Sequence, residues 1–234
     1  MRVKARSGKR GGLTEAAYTR IKSAIIEGAL PPNGVVSVNE LAASYGLGVG
    51  PVRAALIRLC GEELVEVLPQ HGYRILPLTL KDVLQLYDVL AVLLPSTAAF
   101  AARNPRVREQ LARMRQLNAL CNAPHPPASE RAERAIIEAG RALSRIIAES
   151  ADNRFLRQTL DSLFQQVDRV LHVWRRRAER PIDFRRDYSA VIAALGAGDP
   201  DAAARAAQAM VAASKAHIVA GILAQPGFSE VSLS

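Results

Sequence analysis

The stretch from Val38 to Gly61, VNELAASYGLGVGPVRAALIRLCG, decides the fold. It reads as two short helices joined by a tight turn. The first ends near Tyr45, where Gly46 can take the positive φ that closes a helix at little steric cost. The second opens around Pro51, whose missing N–H would be unpaired in a first turn anyway. Leu41, Ala42, Val52, Leu56 and Leu59 share one apolar stripe at three- and four-residue spacing, while Arg53 and Arg58 lie off it and point outward. Two helices crossing over a short turn with glycine make a helix-turn-helix.

Upstream, Thr14 to Gly28 reads as a helix that buries Ala17, Ile21, Ala24 and Ile25, with Leu30 packing just beyond it. Gly28 and the turn Pro31-Pro32-Asn33-Gly34 stop it, Val35-Val36 is a short extended piece, and Ser37 with Glu40 makes a capping box for the next helix. Downstream, Leu64 to Val67 and Tyr73 to Leu76 are strand patterns flanking the turn Pro69-Gln70-His71-Gly72, which predicts a β-hairpin. Residues 13–76 therefore form a winged helix-turn-helix. Residues 1–12 carry Arg2, Lys4, Arg6, Lys9 and Arg10 among glycines, and are expected to be a disordered basic arm that grazes phosphates or is simply solvated.

Residues 77–80 are a hinge, and Thr79 with Asp82 is a second capping box. Residues 81–224 are helical throughout. The expected helices are Leu80 to Arg103, Pro105 to Cys121, Ser129 to Glu149, Asn153 to Ala178, Ile182 to Leu195 and Pro200 to Leu223, with a proline-rich loop from Asn122 to Ala128. Asp199-Pro200 is a strong start signal and Gly198 ends the helix before it. Short connections imply a six-helix antiparallel bundle, with residues 225–234 a frayed tail. The fold class is mainly α: an N-terminal winged helix-turn-helix with a small β-hairpin wing, then the bundle.

The chain has 234 residues and a formal net charge of +9, which suits a polyanionic partner without proving one. Cys60 and Cys121 lie in different helices with no CxxC or Cys/His neighbour, so they read as buried reduced thiols of a cytoplasmic protein. No apolar run reaches the roughly 18 residues of a membrane span, and the N-terminus has no apolar signal core. No HExxH, GxSxG or phosphate-loop pattern occurs, and Ser144 has no histidine three or four residues away, so no enzyme is expected.

The stretch GLGVGPVRAALIRLCGEELVEVLPQHGYRI resembles the GntR family of bacterial transcription regulators, through Pro51-Val52-Arg53, Ala55-Leu56, Leu59, Leu64-Val65 and Gly72. The remainder is similar to the FCD subfamily, named for the FadR C-terminal domain, with Ala148-Glu149, Asn153 and Gly198-Asp199 in the family's places. The resemblance implies a homodimer on a pseudopalindromic double-stranded operator, recognition helices in the major groove and wings near the minor groove. Asn39, Val49, Gly50, Pro51, Arg53, Arg58, His71 and Gly72 are the residues it sets at DNA. Arg53 can grip guanine O6 and N7 bidentately or clamp a phosphate; Arg58 suits a phosphate or solvent.

Departures from the family are informative. Its recognition helix usually opens Ser-Arg-Thr-Pro, whereas this chain has Gly48, Val49 and Gly50 before Pro51. A hydroxyl cap is lost, at about a few tenths of a kcal/mol for glycine, and so is one cation; Val49 can instead pack on a thymine methyl. Many FCD domains hold a metal on the floor of an effector pocket, at positions that are Gly140, Ser144, Tyr188 and Met210 here. These are poor ligands for a divalent ion, so no metal and no other cofactor is expected. Leu90 and Leu94 stand where an Arg and a Glu are common. Either Leu90, Leu94, Gly140, Ser144, Tyr188 and Met210 line a pocket for a rather apolar small-molecule effector, or side chains fill it and nothing is sensed. A third possibility is nonspecific, architectural binding of nucleic acid through the basic arm and Arg175-Arg176-Arg177, a run that also suits a helix C-terminus.

Overall fold

Thr14 to Ile26 forms a helix because Ala17, Ile21 and Ile25 repeat at helical spacing, and all three are buried. In the computed structural model, which describes residues 4–123, 129–177 and 186–225, this helix, α1, spans Lys4–Ile26. It therefore begins within the stretch expected to be a disordered arm. Once a turn is nucleated, each added residue gains a hydrogen bond, and lysine and arginine are good helix formers. Residues 1–3, the loop at 124–128, the expected boundaries at Ala178 and Ile182, and the tail from 226 lie outside the described residues.

The chain divides into two units, Met1–Leu78 and Thr79–Ser234. In the first, α2 is Val38–Tyr45 and α3 is Val49–Gly61. Ser37 caps α2: its hydroxyl accepts from the Glu40 amide at 3.1 Å, and the Glu40 carboxylate accepts from the Ser37 amide at 3.0 Å. Gly46 closes α2 at φ 64°. Helix α3 starts two residues before Pro51, with Gly48 in the cap position and no side-chain cap. Val52, Leu56 and Leu59 are fully buried against Ala17, Ile21 and Ile25, together with Leu64, Val65 and Ile75 of the sheet.

The wing has a third strand. β1 (Val35–Val36) pairs antiparallel with β3 (Gly72–Ile75), which pairs with β2 (Val65–Leu68), giving the order β1-β3-β2. Val35 is opposite Arg74, and Leu68 is opposite Gly72. Two residues are too few to show alternation, so Val35-Val36 could be read only as extended. Gly72 has φ 99°, and a Cβ there would stand 2.5 Å from the Val36 carbonyl oxygen, so both conformation and space require glycine.

The second unit holds α4 (Leu80–Arg103), α5 (Leu111–Cys121), α6 (Glu130–Ser150), α7 (Arg154–Arg177), α8 (Ser189–Ala197) and α9 (Pro200–Leu223). Thr79 with Asp82 caps α4, Asn153 caps α7 and Asp199 caps α9. The expected helix from Pro105 opens instead as a 3-10 turn, Pro105–Gln110, anchored by the Asn104 side chain accepting from the Arg106 amide. Helix α8 starts at Ser189 because the Asp187 carboxylate accepts from the Ser189 amide at 2.9 Å, while Asn118 accepts from the Tyr188 amide at 2.8 Å. The core joins Ala98, Ala101, Met114, Leu143, Leu195 and Ala203. Helices α4 and α9 pack along each other and are tied by the Lys215–Asp88 ion pair. Both are long and apolar enough to cross a membrane by length and composition, which corrects the expectation of no such run: isolated charges such as Asp88 interrupt a run without making the window polar.

Candidate nucleic-acid interface and ligand cleft

The outward side of α3 is set by what its inner side buries. With Val52, Ala55, Leu56 and Leu59 inside, the opposite side carries Gly50, Ala54, Ile57 and Gly61, flanked by Arg53 and Arg58. Arg53 is exposed, and its guanidinium makes no hydrogen bond or ion pair among the described residues. Arg58 is engaged. It donates to Glu15 of α1 at 2.9 Å, lies 3.6 Å from Glu62 and stacks 3.5 Å from the Tyr18 ring centre. It braces α3 against α1, a role that only the packed structure reveals.

Below Arg58, Tyr18 donates to Glu62 at 2.7 Å and Lys22 donates to both Tyr18 and Glu62, the latter at 2.6 Å. Burial alone would raise the Glu62 carboxyl, but these hydrogen bonds and the Lys22 and Arg58 charges outweigh it and hold it below the ordinary carboxylate range. Of the other residues that the family resemblance sets at DNA, Asn39, Val49, Gly50 and His71 are exposed, and Pro51 and Gly72 are half-buried. His71 sits at the hairpin turn, its amide donating to the Leu68 carbonyl.

In the helical unit, the positions expected to line a pocket fall into two groups. Ser144 and Tyr188 meet: their hydroxyl oxygens are 3.0 Å apart, and Tyr188 also donates to the Gly140 carbonyl at 3.4 Å. Met210 packs against the core that contains Tyr188. Leu90 is buried and Leu94 half-buried, both on α4.

A cleft opens beside the first group. Its walls are Ile136, Ile137, Phe164, Val167 and Leu171, with Cys121, Gly140, Arg141, Ser144, Asp168 and Arg186 also facing it; the space, mouth included, is about 410 Å3. Asp168 is buried and pairs with Arg141 at 2.6 Å. Burial pushes its carboxyl up despite the opposing charges of Arg141, Arg186 and Arg145. Arg186 stands in the electrostatic reach of Tyr87, Tyr188 and Asp168. One carboxylate thus faces the cleft together with two guanidinium groups, those of Arg141 and Arg186. Burial raises the Cys121 thiol to about 11, which keeps it protonated and unreactive.

The sequence reading missed Ile57, Arg141, Asp168 and Arg186. Asp168 left a signal, since it falls on the stripe of Leu160, Phe164, Val167 and Leu171, where a charge must find a partner. Arg186 left none, because it lies in irregular backbone.

The metal positions of the resembled family do not fit a divalent ion here. Two hydroxyls already paired with each other, a glycine carbonyl already accepting a bond and a thioether are not a hard or borderline ligand set. Among the described residues, no three His, Cys, Asp or Glu side chains converge.

Comparison with known proteins agrees with this geometry. Residues 13–75 match the model of bacterial regulatory proteins of the gntR family, and residues 85–213 match the FCD domain. The chain is 29% identical over 175 residues to the HTH-type transcriptional repressor GlaR of Escherichia coli, covering 73% of this chain and 77% of GlaR. It is 34% identical over 82 residues to an HTH-type regulator of Agrobacterium vitis, covering 35% of this chain and 48% of that protein. Among solved structures, E. coli McbR/YncC superposes with a TM-score of 0.69 at 21% identity, over 89% of this chain and 97% of McbR. A GntR regulator from Rhodococcus sp. RHA1 gives 0.63 at 19%, over 88% and 97%. These two likenesses show the fold.

Proposed function

This chain belongs to the GntR family of bacterial regulatory proteins, with an FCD domain behind its winged helix-turn-helix, and is a DNA-binding transcription regulator rather than an enzyme; we propose that it is a cytoplasmic repressor that works as a homodimer on a pseudopalindromic operator. The observation that carries the DNA reading is Arg53, an unpaired guanidinium on the exposed flank of the recognition helix. Two-fold symmetry suits a helix-turn-helix, because half-sites one helical turn apart need two copies. Val89, Val92 and Phe100, exposed along one side of α4, offer an apolar stripe for a second copy.

The effector we propose has an apolar body and an acidic group. The apolar walls of the cleft suit the body. The surplus of guanidinium over carboxylate around Asp168 suits the acid, and it sharpens the expectation of a merely apolar ligand.

Two measurements test these readings. Selection from a random duplex pool, followed by fluorescence anisotropy, should yield one sequence family, and Arg53→Ala should weaken it by about 1–3 kcal/mol with an unchanged melting temperature. Retained sequence-specific affinity in that variant refutes the role of Arg53. Thermal shift with apolar carboxylic acids and their neutral amides should show stabilisation by acids only; equal effects refute the anionic group, and no effect with either refutes a ligand.

A further inference from the structure

We infer that Ile57, with Val49, reads thymine methyl groups, so that the operator half-site pairs an Arg53-contacted base with thymines on either side. The inference rests on the operator-binding reading above and adds the residues that choose the sequence.

Three observations carry it. First, Val49, Arg53 and Ile57 are spaced by four residues along α3 and share its exposed side, with Val49 43% and Ile57 60% accessible. A large aliphatic side chain so exposed in the middle of a helix gains nothing from its own fold. Second, the positions around Ile57 are small: Gly50, Ala54 and Gly61. A Cβ at Gly50 or Gly61 would meet nothing within 4 Å, and neither glycine has a positive φ, so the chain itself does not require glycine at either place. Gly50 stands in the first turn of α3 and Gly61 is its last residue, and both leave the backbone open to close approach by an outside surface. Third, that surface is a polyanion: the chain carries +9, and Arg53 is the one cation on this side of α3 without a partner among the described residues, Arg58 being held by Glu15 and Glu62. A helix face with two aliphatic projections, Val49 and Ile57, and one guanidinium can sink into a major groove. The only apolar group displayed there is the thymine C5 methyl.

The test uses the full-length protein and the duplex selected from a random pool. Each thymine of the half-site is replaced in turn by deoxyuridine, which removes the methyl group alone. At least one replacement should weaken binding about fourfold, the value of one buried methyl-sized group. In Ile57→Ala or Val49→Ala that same replacement should cost nothing further, because the partner of the methyl is already gone. Unchanged melting temperatures and sedimentation of both variants show that they remain folded and assembled. A half-site indifferent to every uridine, or a uridine penalty that persists in both variants, overturns the inference. So does loss of self-association in Ile57→Ala, which would assign the side chain to a protein contact. Failure to select any sequence refutes the operator reading instead, so the two failures are distinguishable.

Discussion

The hydroxyl oxygens of Ser144 on α6 and Tyr188 before α8 lie 3.0 Å apart, both residues buried and 44 positions apart in the chain. This bond ties the start of α8 to α6 beside the cleft. Removing one partner leaves the other buried. Ser144→Ala should cost about 1–3 kcal/mol in urea unfolding, whereas Ser144→Ala with Tyr188→Phe should cost less than the sum of the two single changes. Additive effects would show that the bond does not form.

Arg58 separates stability from DNA binding. Its bonds to Glu15 and Glu62 are half-exposed and screened, so Arg58→Ala should lower stability by only about 1 kcal/mol. The slope of log Kd against log salt should stay as in the parent chain, since the side chain is held on α1. A slope shallower by about 1 would mean a lost phosphate contact.

The cluster of Tyr18, Lys22 and Glu62 sets an acid limit on the first unit. Glu62 is held below its usual 4.5, so its stabilisation is fully present above that value and is lost as the pH falls through the lowered one. Lys22 is held above 10.5: burial opposes this, but the bonds to Glu62 and Tyr18 prevail. Its share is present below 10.5 and lost as the pH rises through the raised value. Glu62→Gln should flatten the acid limb of a denaturation-versus-pH profile; an unchanged limb would place acid sensitivity elsewhere.

At the wing, Gly72→Ala meets both an unfavourable φ and the Val36 carbonyl. The change should destabilise by at least about 1–3 kcal/mol and loosen the pairing of β1 with β3, read as faster amide exchange at Ile75. An alanine variant of parent stability would refute the close approach of these strands.

Local order was legible in the chain itself. Ser37 with Glu40, Thr79 with Asp82, and Asp199 with Pro200 act across three residues or fewer, and the stripes of Ala17, Ile21 and Ile25 or Val52, Leu56 and Leu59 repeat within one helix. Such interactions depend on neighbours in sequence, so spacing alone determines them. The motif around Arg53 was therefore readable, and with it the class of partner. What Arg58 does, which residues surround Asp168, and where Ser144 and Tyr188 find their partners depend on contacts between different elements, such as Arg58 with Glu15 and Arg141 with Asp168. Only packing brings those groups together, because the choice of partner follows from how helices stack and not from any local pattern. The helix-turn-helix was written in the sequence. The brace behind it and the charged cleft in the helical unit were decided by the tertiary structure.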